Sequence, residues 1–490
     1  MPEFKIVEGD TRGMEDVQSF IDQINRLDTH PMREAHGLFD EEGEICVGRA
    51  PGRLDVMGGI ADYSGSLVLQ LPTREATVVG LQRTKDTSIR VVSGDADENA
   101  RLPDYELQVS DLTRDGSPIS LDAARALFAR DPRSVWASYV LGTFLILMHE
   151  KGLNLNEGAR LLVSSDVPEG KGVSSSAALE VATMMAVCGT YDISLEPREM
   201  ALLCQKVENQ VVGAPCGVMD QMTAVCGQED ELMALLCQPA ELRGTIGLPE
   251  DIDVWGIDSG IRHHVSGSDY TSVRVGAFMG YRILAELAGL TATPGYPIHV
   301  DDPRWKGYLA NLSPSEFEQN YAQDIPPWDE GDQFIKNYGG TTDPVTQVDP
   351  ETTYNVRMPT RHPIYENYRV KTFSKLLSTA AGRWQIELLG ELMFQSHASY
   401  TTCGLDSAGT DRLVELVREV GPGQGLYGAK ITGGGSGGTV AVIGHKGSDG
   451  AIEEVAGRYE RETGHKPHIF TGSSLGAVAF GTIRLESDHS

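Results

Sequence analysis

The most constraining feature of the sequence is a glycine-rich loop that leads into three hydroxyl side chains and then into an apolar helix. Residues 168–180 read PEGKGVSSSAALE, and the apolar run 182–187 follows them. Glycines let backbone N–H groups approach a ligand, because they have no Cβ and adopt positive φ angles freely. The helix that follows directs its unpaired N–H groups and its positive end at the same place. The pattern predicts a phosphate-binding loop in which a serine also binds a metal ion, although a serine-capped helix after a flexible turn fits the loop alone.

This loop is not a Walker A loop. That pattern needs a glycine where Ser165 stands and a Ser or Thr directly after the lysine, where Gly172 stands. A second glycine run, residues 433–438 (GGGSGG), matches both the dinucleotide-binding pattern and the nucleophile elbow, but both of those require a helix to follow. Residues 439–443 (TVAVI) indicate a strand instead. A glycine loop between two strands predicts a close approach of two backbones, or of a backbone and a ligand.

The charge of the chain limits its partners. The 490 residues include 41 basic and 70 acidic residues, which gives a formal net charge of −29. Such a charge repels nucleic acids and anionic membranes, so we expect small-molecule partners. It would also oppose a nucleotide, so a phosphate site must be locally positive; the candidates are Arg53, Lys171, Arg262 and Arg274. The seven scattered cysteines are expected to be buried reduced thiols. No apolar run approaches the roughly 20 residues of a membrane span, and the start lacks a signal-like apolar region, so we expect a cytoplasmic protein.

The length predicts two or three domains. Residues 1–42 are expected to be an N-terminal extension with an amphipathic helix around 14–27. A first domain is predicted over 43–245 and a second over 246–490. Residues 291–360 have little regular pattern, which indicates an insertion that is ordered by its Trp and Tyr residues.

Asp220 is a candidate general base. It lies between a Pro/Gly turn (residues 213–217) and the apolar residues Met219 and Met222, so we expect it to be half-buried. An arginine nearby would keep the carboxylate ionised and able to accept a proton, and Arg53 is the candidate partner. The alternative interpretation is that Asp220 caps a helix.

Three segments, 52–63, 168–178 and 430–438, resemble the signature motifs of the GHMP small-molecule kinases in sequence, order and separation. Residues 213–221 and 261–263 are similar to galactokinases within that superfamily. The segments 52–71, 213–222, 259–277 and 338–344 resemble most the kinase domain of plant-type L-arabinokinases. The resemblance implies an α+β fold with a ribosomal-S5-like N-terminal domain, a ferredoxin-like C-terminal domain and a site between them.

The resemblance also implies ATP and Mg²⁺ as cofactors and assigns roles to residues. Asp220 becomes the base and Arg53 its partner, while Glu208 and Ser176, or less favourably Ser175, bind Mg²⁺. The resemblance assigns the sugar contacts to Asp62, Gly217, Tyr270, Asp55 and Ile60. It assigns the nucleotide contacts to Gly170, Lys171, Gly172, Val173, Ser174, Ser175, Ser176, Ala177, Gly434 and Gly435. An ordinary helix-end acid is the alternative for Glu208, and a core residue is the alternative for Tyr270. These roles require Asp220 and residues 170–179 to face each other across one cleft.

One departure from the galactokinases bears on the substrate. Galactokinases have Gly-Glu-His-Thr-Asp-Tyr where residues 58–63 read GGIADY, so the polar partners of a hexose, including those of its exocyclic 6-hydroxyl, are missing. L-Arabinopyranose has the ring stereochemistry of galactopyranose without that CH₂OH group. The expected reaction is therefore direct in-line transfer to the C1 hydroxyl of L-arabinose, giving L-arabinose 1-phosphate and ADP. Alternatives are a galactokinase, another monosaccharide or uronic acid 1-kinase, and a non-catalytic sugar sensor. The preferred anomer and the choice between monomer and homodimer stay open.

Overall fold

The computed structural model describes residues 3–94, 101–262, 268–379 and 383–488. Within them, the larger of two main sheets has nine strands and is called here the large sheet. Its main path runs through Phe4–Glu8, Thr482–Ser487, Ile45–Met57, Leu67–Arg83, Ala159–Ser165, Ser88–Ser93 and Asp104–Gln108. Strand Glu231–Leu236 pairs with the start of Leu67–Arg83 and carries the edge strand Glu241–Gly247. Strands Ser88–Ser93 and Ala159–Ser165 pair in parallel, and the other described pairs of this sheet are antiparallel.

Helices cover both faces of the large sheet because its central strands are apolar on both sides; every residue of Ile45–Met57 is buried. One face packs against the helices Leu121–Phe128, Ala137–Lys151, Ser175–Thr190, Pro197–Lys206 and Met219–Cys226. The other face packs against helix Glu15–Ile24, whose Val17, Phe20 and Ile21 meet Val78 and Leu162 of the sheet. The buried helix Ser175–Thr190 therefore starts at the edge where the first glycine loop, residues 168–174, leaves strand Ala159–Ser165.

A second antiparallel sheet, the small sheet, has four strands among the described residues, in the order Leu426–Ile431, Thr439–His445, Ile252–Asp258 and Ile469–Phe470. Helices Ala408–Val420 and Asp449–Thr463 pack on one face. Helices Arg357–Leu377 and Arg383–Cys403 pack in a further core that contains Leu54 and Leu69 of the large sheet as well as Val254 and Ala441 of the small one. One continuous apolar core thus joins the two sheets.

The predicted insertion packs against helix Ser268–Leu287 and the start of helix Arg357–Leu377, which begins inside the range 291–360. Its other elements are two strand pairs, Thr291–Thr293 with His299–Asp301 and Trp328–Glu330 with Thr353–Asn355, and the helices Pro314–Asn320 and Gly331–Tyr338. Trp305, Tyr321 and Tyr354 lie in its core, which agrees with the prediction that aromatic residues order this region.

The two ends of the described chain depart from the predicted division. Strand Phe4–Glu8 belongs to the large sheet, although residues 1–42 were expected to form an extension, and the amphipathic helix of that region spans Glu15–Ile24. Strand Thr482–Ser487 lies between Phe4–Glu8 and Ile45–Met57, although the sequence places it in the second domain. Only Phe4 is buried in the first of these strands, so the sequence carries no alternation that would reveal it. In the described part of the chain, no helix has the length and apolar character needed to cross a membrane.

Candidate active site

A cleft of about 570 Å³ lies where the large sheet and the small sheet meet. The first glycine loop and the segment that carries Asp220 both line it. Gly434 and Arg262 reach the same space from the C-terminal half of the chain. The structure thus places the acid and the hydroxyl-lined loop on one cleft, as the predicted roles require.

Arg53 holds Asp220 in a two-pronged hydrogen bond, Nε to Oδ1 at 3.0 Å and Nη2 to Oδ2 at 2.9 Å. The third guanidinium nitrogen, Nη1, donates to the carbonyl of Gly172 at 2.7 Å, so Arg53 also fixes the first glycine loop. The hydroxyl of Ser174 donates to Oδ2 of Asp220. Arg53 is buried while Asp220 is exposed over 21% of its side chain, so the carboxylate is fixed but faces the cleft.

The two glycine loops touch through their backbones, which confirms the prediction of a close approach. A Cβ built on Gly438 would lie 2.7 Å from the carbonyl oxygen of Lys171, and one on Gly433 would lie 2.9 Å from that of Gly172. Gly433 and Gly438 also have positive φ angles of 69° and 81°. Neither position has room for a side chain, so the close contact itself requires glycine.

The first glycine loop presents its backbone and hydroxyls to the cleft. Gly170, Gly172, Ser174, Ser175 and Ser176 line it, at the N-terminus of helix Ser175–Thr190. Ser174 adopts a left-handed conformation (φ 62°, ψ 47°), which turns the chain from the loop into the helix.

Three predicted nucleotide contacts turn away from the cleft. Val173 and Ala177 are fully buried in the core, and the ammonium group of Lys171 pairs with Asp258 Oδ2 at 2.8 Å. Lys171 thus ties the first glycine loop to the small sheet, and we correct its predicted side-chain role. Gly435 lies against Leu405, outside the cleft lining, and only Gly434 of the second glycine loop reaches it.

Ser176 and Glu208 lie together at the floor of the cleft, where the serine hydroxyl hydrogen-bonds the carboxyl group. Burial and the negative charge of Asp220 raise the pKa of Glu208 to about 7. The amide of Gln221 donates to Glu208 at 2.7 Å and to the buried Glu180 at 3.2 Å. A hydroxyl and a carboxylate are the kind of donors that Mg²⁺ takes from a protein alongside phosphates. No cluster of three or more His, Cys, Asp or Glu able to hold a metal alone occurs in the residues the structure describes.

Ile60, Asp62, Gly217 and Tyr270 also line the cleft, and the part they form is called here the sugar end, after the role predicted for these residues. Burial, and secondarily the charge of Asp220, raise the pKa of Asp62 to about 7. A Cβ on Gly217 would lie 1.6 Å from Asp62 Oδ2, so the carboxyl rests directly on the glycine backbone. Tyr270 is buried, packs edge-on against Tyr63 with the ring centres 6.0 Å apart, and also lines the cleft, so its position fits either the predicted sugar contact or the alternative of a core residue.

Asp55 and Arg274 do not reach the cleft. Asp55 is fully buried and its carboxylate is occupied by Lys430, Gln70 and the N–H of Gly59, so its predicted contact with substrate is replaced by a structural role. Arg274 is also buried and bonds Asp343 of the insertion through Nε and Nη2 at 2.7 and 2.8 Å. Its charge is therefore compensated, and it does not make a phosphate site positive. Arg53 and Arg262 are the predicted cations that line the cleft, while His263 lies outside the described residues.

The end of the cleft beyond the serines was not predicted from the sequence. It is lined by Arg101, Pro132, Val135, Trp136, Tyr139, Leu179 and Val212. The indole N–H of Trp136 donates to the carbonyl of Leu102 at 3.0 Å, and the guanidinium of Arg101 lies 5.9 Å from the ring centre. Trp136 stands at the start of an apolar helix, where the sequence gives no signal to separate a lining aromatic from a core one.

Comparison with known proteins identifies the kind of fold. The fold is that of two-domain small-molecule kinases: the crystal structure of Lactococcus lactis galactokinase complexed with galactose matches with a TM-score of 0.66 and 21% identity, over 89% of this chain and 94% of that one. The family models for the GHMP kinases N terminal domain and the GHMP kinases C terminal match residues 138–228 and 380–462.

Two relatives are similar over most of this chain. A galactokinase of Chloroflexus aggregans is 30% identical over 421 residues, 85% of this chain and 89% of that protein. The L-arabinokinase of Arabidopsis thaliana is 45% identical over 540 residues; the alignment covers 99% of this chain, which spans 52% of the length of that protein. The chain belongs to the GHMP kinase family.

Proposed function

We propose that this protein is an ATP-dependent sugar 1-kinase that converts L-arabinose to L-arabinose 1-phosphate by direct in-line transfer, without a phospho-enzyme. The observation that carries the proposal is the position of Asp220: Arg53 holds its carboxylate in the cleft, directly beside the first glycine loop. A carboxylate in that place accepts the proton of the C1 hydroxyl as its oxygen attacks the terminal phosphorus. The bond between that phosphorus and the ADP oxygen breaks as the new one forms.

Arg53 has two tasks in this reaction. Its bonds to Asp220 orient the carboxylate, and its positive charge stabilises the negative charge that develops on the reacting oxygen. The backbone of Gly170 and Gly172 and the start of helix Ser175–Thr190 hold the phosphates. Positioning of this kind supplies most of the rate of phosphoryl transfer, because the transition state requires little covalent participation by the protein.

Ser176 and Glu208 are the proposed protein ligands for Mg²⁺, which neutralises phosphate charge when it is bound with the nucleotide. Both residues line the cleft, and their side chains hydrogen-bond each other. The remaining end, with Trp136, Val135 and Leu179, has the apolar and aromatic lining that suits a nucleobase.

Three observations favour L-arabinose over D-galactose. The sugar end has an apolar wall at Ile60, and residue 59 is a glycine, so neither supplies a side-chain partner for an exocyclic hydroxyl. A buried polar side chain left unpaired beside a pentose would cost binding energy. Residues 59 and 60 have no polar side chain, so a pentose avoids this cost at both positions. The 45% identical relative is an L-arabinokinase, whereas the galactokinase relative is 30% identical.

The deciding experiment is an ADP-release assay with Mg·ATP and a panel of sugars: L-arabinose, D-galactose, D-xylose, D-glucose and a uronic acid. We expect the highest kcat/KM for L-arabinose and a measurable side activity on D-galactose, because apolar pockets separate near-isosteres by only about 10–200-fold. A clear preference for D-galactose or for a uronic acid would make the protein a different 1-kinase. No turnover with any sugar, together with intact sugar binding, would favour a sensor.

A further inference from the structure

Tyr400 lies behind the sugar end and connects it to the second glycine loop. Its side chain is fully buried in helix Arg383–Cys403. The hydroxyl accepts a hydrogen bond from the backbone N–H of Ile60 at 2.9 Å and donates one to the carbonyl of Gly433 at 2.8 Å. One oxygen atom therefore joins two backbone segments that are far apart in sequence and lie at the two halves of the site.

The position of this hydroxyl depends on a glycine. A Cβ built on Gly59 would lie 1.7 Å from Tyr400 Oη, and Gly59 also has a positive φ of 46°. The ring cannot move aside, because His362 packs edge-on against it at 5.2 Å and Lys430 Nζ lies 5.4 Å from its centre. The hydroxyl of Tyr400 and a side chain at position 59 thus exclude each other.

Ile60 is the residue that this contact places. Its side chain lines the cleft and packs in a small core with Tyr270, Tyr400 and Leu405. Its backbone N–H donates to the hydroxyl of Tyr400. The same helix end also holds the second glycine loop at another point, where the carbonyl of Leu405 accepts the N–H of Ser436.

We propose that Tyr400 is a specificity-determining positioning residue: its hydroxyl fills the space of a side chain at position 59, holds Ile60 as the apolar wall of the sugar end, and sets that wall relative to the second glycine loop. Tyr400 does not line the cleft, so it acts through Ile60. The inference rests on the proposed function for the identity of the sugar end.

The kinetic test is Tyr400→Phe, which removes the hydroxyl and leaves the buried N–H of Ile60 and carbonyl of Gly433 without this partner. We expect the KM for L-arabinose to rise about tenfold or more, while the KM for ATP changes less than about threefold. The ratio of kcat/KM for L-arabinose to that for D-galactose should fall. Tyr365→Phe is the matched control, because the half-buried Tyr365 of helix Arg357–Leu377 donates to Glu318 of helix Pro314–Asn320 and neither residue lines the cleft. An unchanged sugar KM and ratio, or an equal rise of both KM values, would overturn the proposal.

The mutual exclusion of the Tyr400 hydroxyl and a side chain at position 59 can be tested without substrate. The effect of Gly59→Ala is measured in the wild-type protein and in the Tyr400→Phe variant. Gly152→Ala is the control for backbone strain, because Gly152 has a φ of 67° and no atom lies within 4 Å of its added Cβ. We expect Gly59→Ala to lower the Tm more than Gly152→Ala does, and Tyr400→Phe to recover part of that excess, because it removes the 1.7 Å contact while those with Asp55 Oδ2 at 2.8 Å and with the ring Cζ at 2.9 Å remain. If Gly59→Ala does not fold, recovery of soluble protein by Tyr400→Phe replaces the Tm comparison. Equal losses in both backgrounds, or no recovery, would contradict the mutual exclusion.

The two tests separate this proposal from the proposed function. If another sugar proves to be the substrate, the Tm cycle still decides whether Tyr400 and a side chain at 59 exclude each other. If L-arabinose is the substrate but Tyr400→Phe behaves like Tyr365→Phe, the proposed function stands and the role of Tyr400 is wrong.

Discussion

The ammonium group of Lys430 lies 2.5 Å from a carboxylate oxygen of Asp55, and neither side chain has any exposure to solvent. The residues are 375 positions apart in sequence. Gln70 and the N–H of Gly59 donate to the other carboxylate oxygen at 2.6 and 2.9 Å. The pair joins the central strand Ile45–Met57 of the large sheet to strand Leu426–Ile431 of the small sheet, directly behind the cleft.

Lys430→Met should destabilise the protein strongly. It leaves the carboxylate of Asp55 buried without its cation, which typically costs about 3–5 kcal/mol in the free energy of unfolding. Urea unfolding measures this, with Lys336→Met as the control, because the Lys336–Asp332 pair is exposed and such pairs are worth about 0–1 kcal/mol. If Lys430→Met unfolds like the control but raises the KM for the sugar, Asp55 has a role in substrate binding after all.

Asp220→Asn should lower kcat by at least about 10²-fold, the usual scale for loss of a general base. The amide keeps the shape of the side chain and one acceptor for Arg53, so we expect nucleotide binding to stay within about threefold of the wild-type value. Steady-state turnover and equilibrium titration with an ATP analogue measure the two effects separately. Near-normal turnover would mean that Asp220 is not the base.

Glu208→Gln should raise the Mg²⁺ concentration needed for half-maximal turnover by at least about tenfold, because a neutral amide is a much weaker ligand than a carboxylate. Glu180→Gln is the matched control. Glu180 is also buried and accepts a hydrogen bond from the same Gln221 amide, but it does not line the cleft. Turnover measured against free Mg²⁺ at fixed ATP should separate the two variants, and equal shifts would show that Glu208 is not the ligand.

The stability of the protein should carry a pH dependence from Asp62. Its pKa is raised to about 7 from the usual 3.8, chiefly by burial and then by the charge of Asp220, so the folded state binds this proton more tightly than the unfolded state does. The contribution of Asp62 to the free energy of unfolding is therefore present at low pH and is lost as the pH rises from about 4 to about 7. The total loss has an upper limit of about 4 kcal/mol. The Tm of Asp62→Asn minus the Tm of the wild type should increase as the pH is raised from 5 to 8. A Tm difference that is constant with pH would show that Asp62 is ionised throughout.

The parts of the site that the sequence predicted are those whose chemistry is local. Residues 168–178 carry their glycines and serines next to each other, and the strand at 439–443 follows the second glycine run directly, so each pattern indicates its own structure. Asp220 was recognisable because a Pro/Gly turn and apolar residues surround it in the sequence.

The roles that were corrected depend on partners from distant segments. From the sequence alone, Lys171 and Arg274 are candidate phosphate-site cations. In the structure Lys171 pairs with Asp258, and Arg274 pairs with Asp343 of the insertion. Trp136 and Tyr400 were missed for a related reason. Both lie in apolar helices where most large side chains are core, and only the tertiary arrangement shows that one lines the cleft and the other holds Ile60.

Strand Thr482–Ser487 has a consequence for biosynthesis. It occupies the place between Phe4–Glu8 and Ile45–Met57, so the first strand has no neighbour in the large sheet until more than 400 later residues have left the ribosome. Nascent chains should therefore display an unpaired edge at Ile45–Met57 during most of translation, and a chaperone that binds exposed β-edges would find its target there.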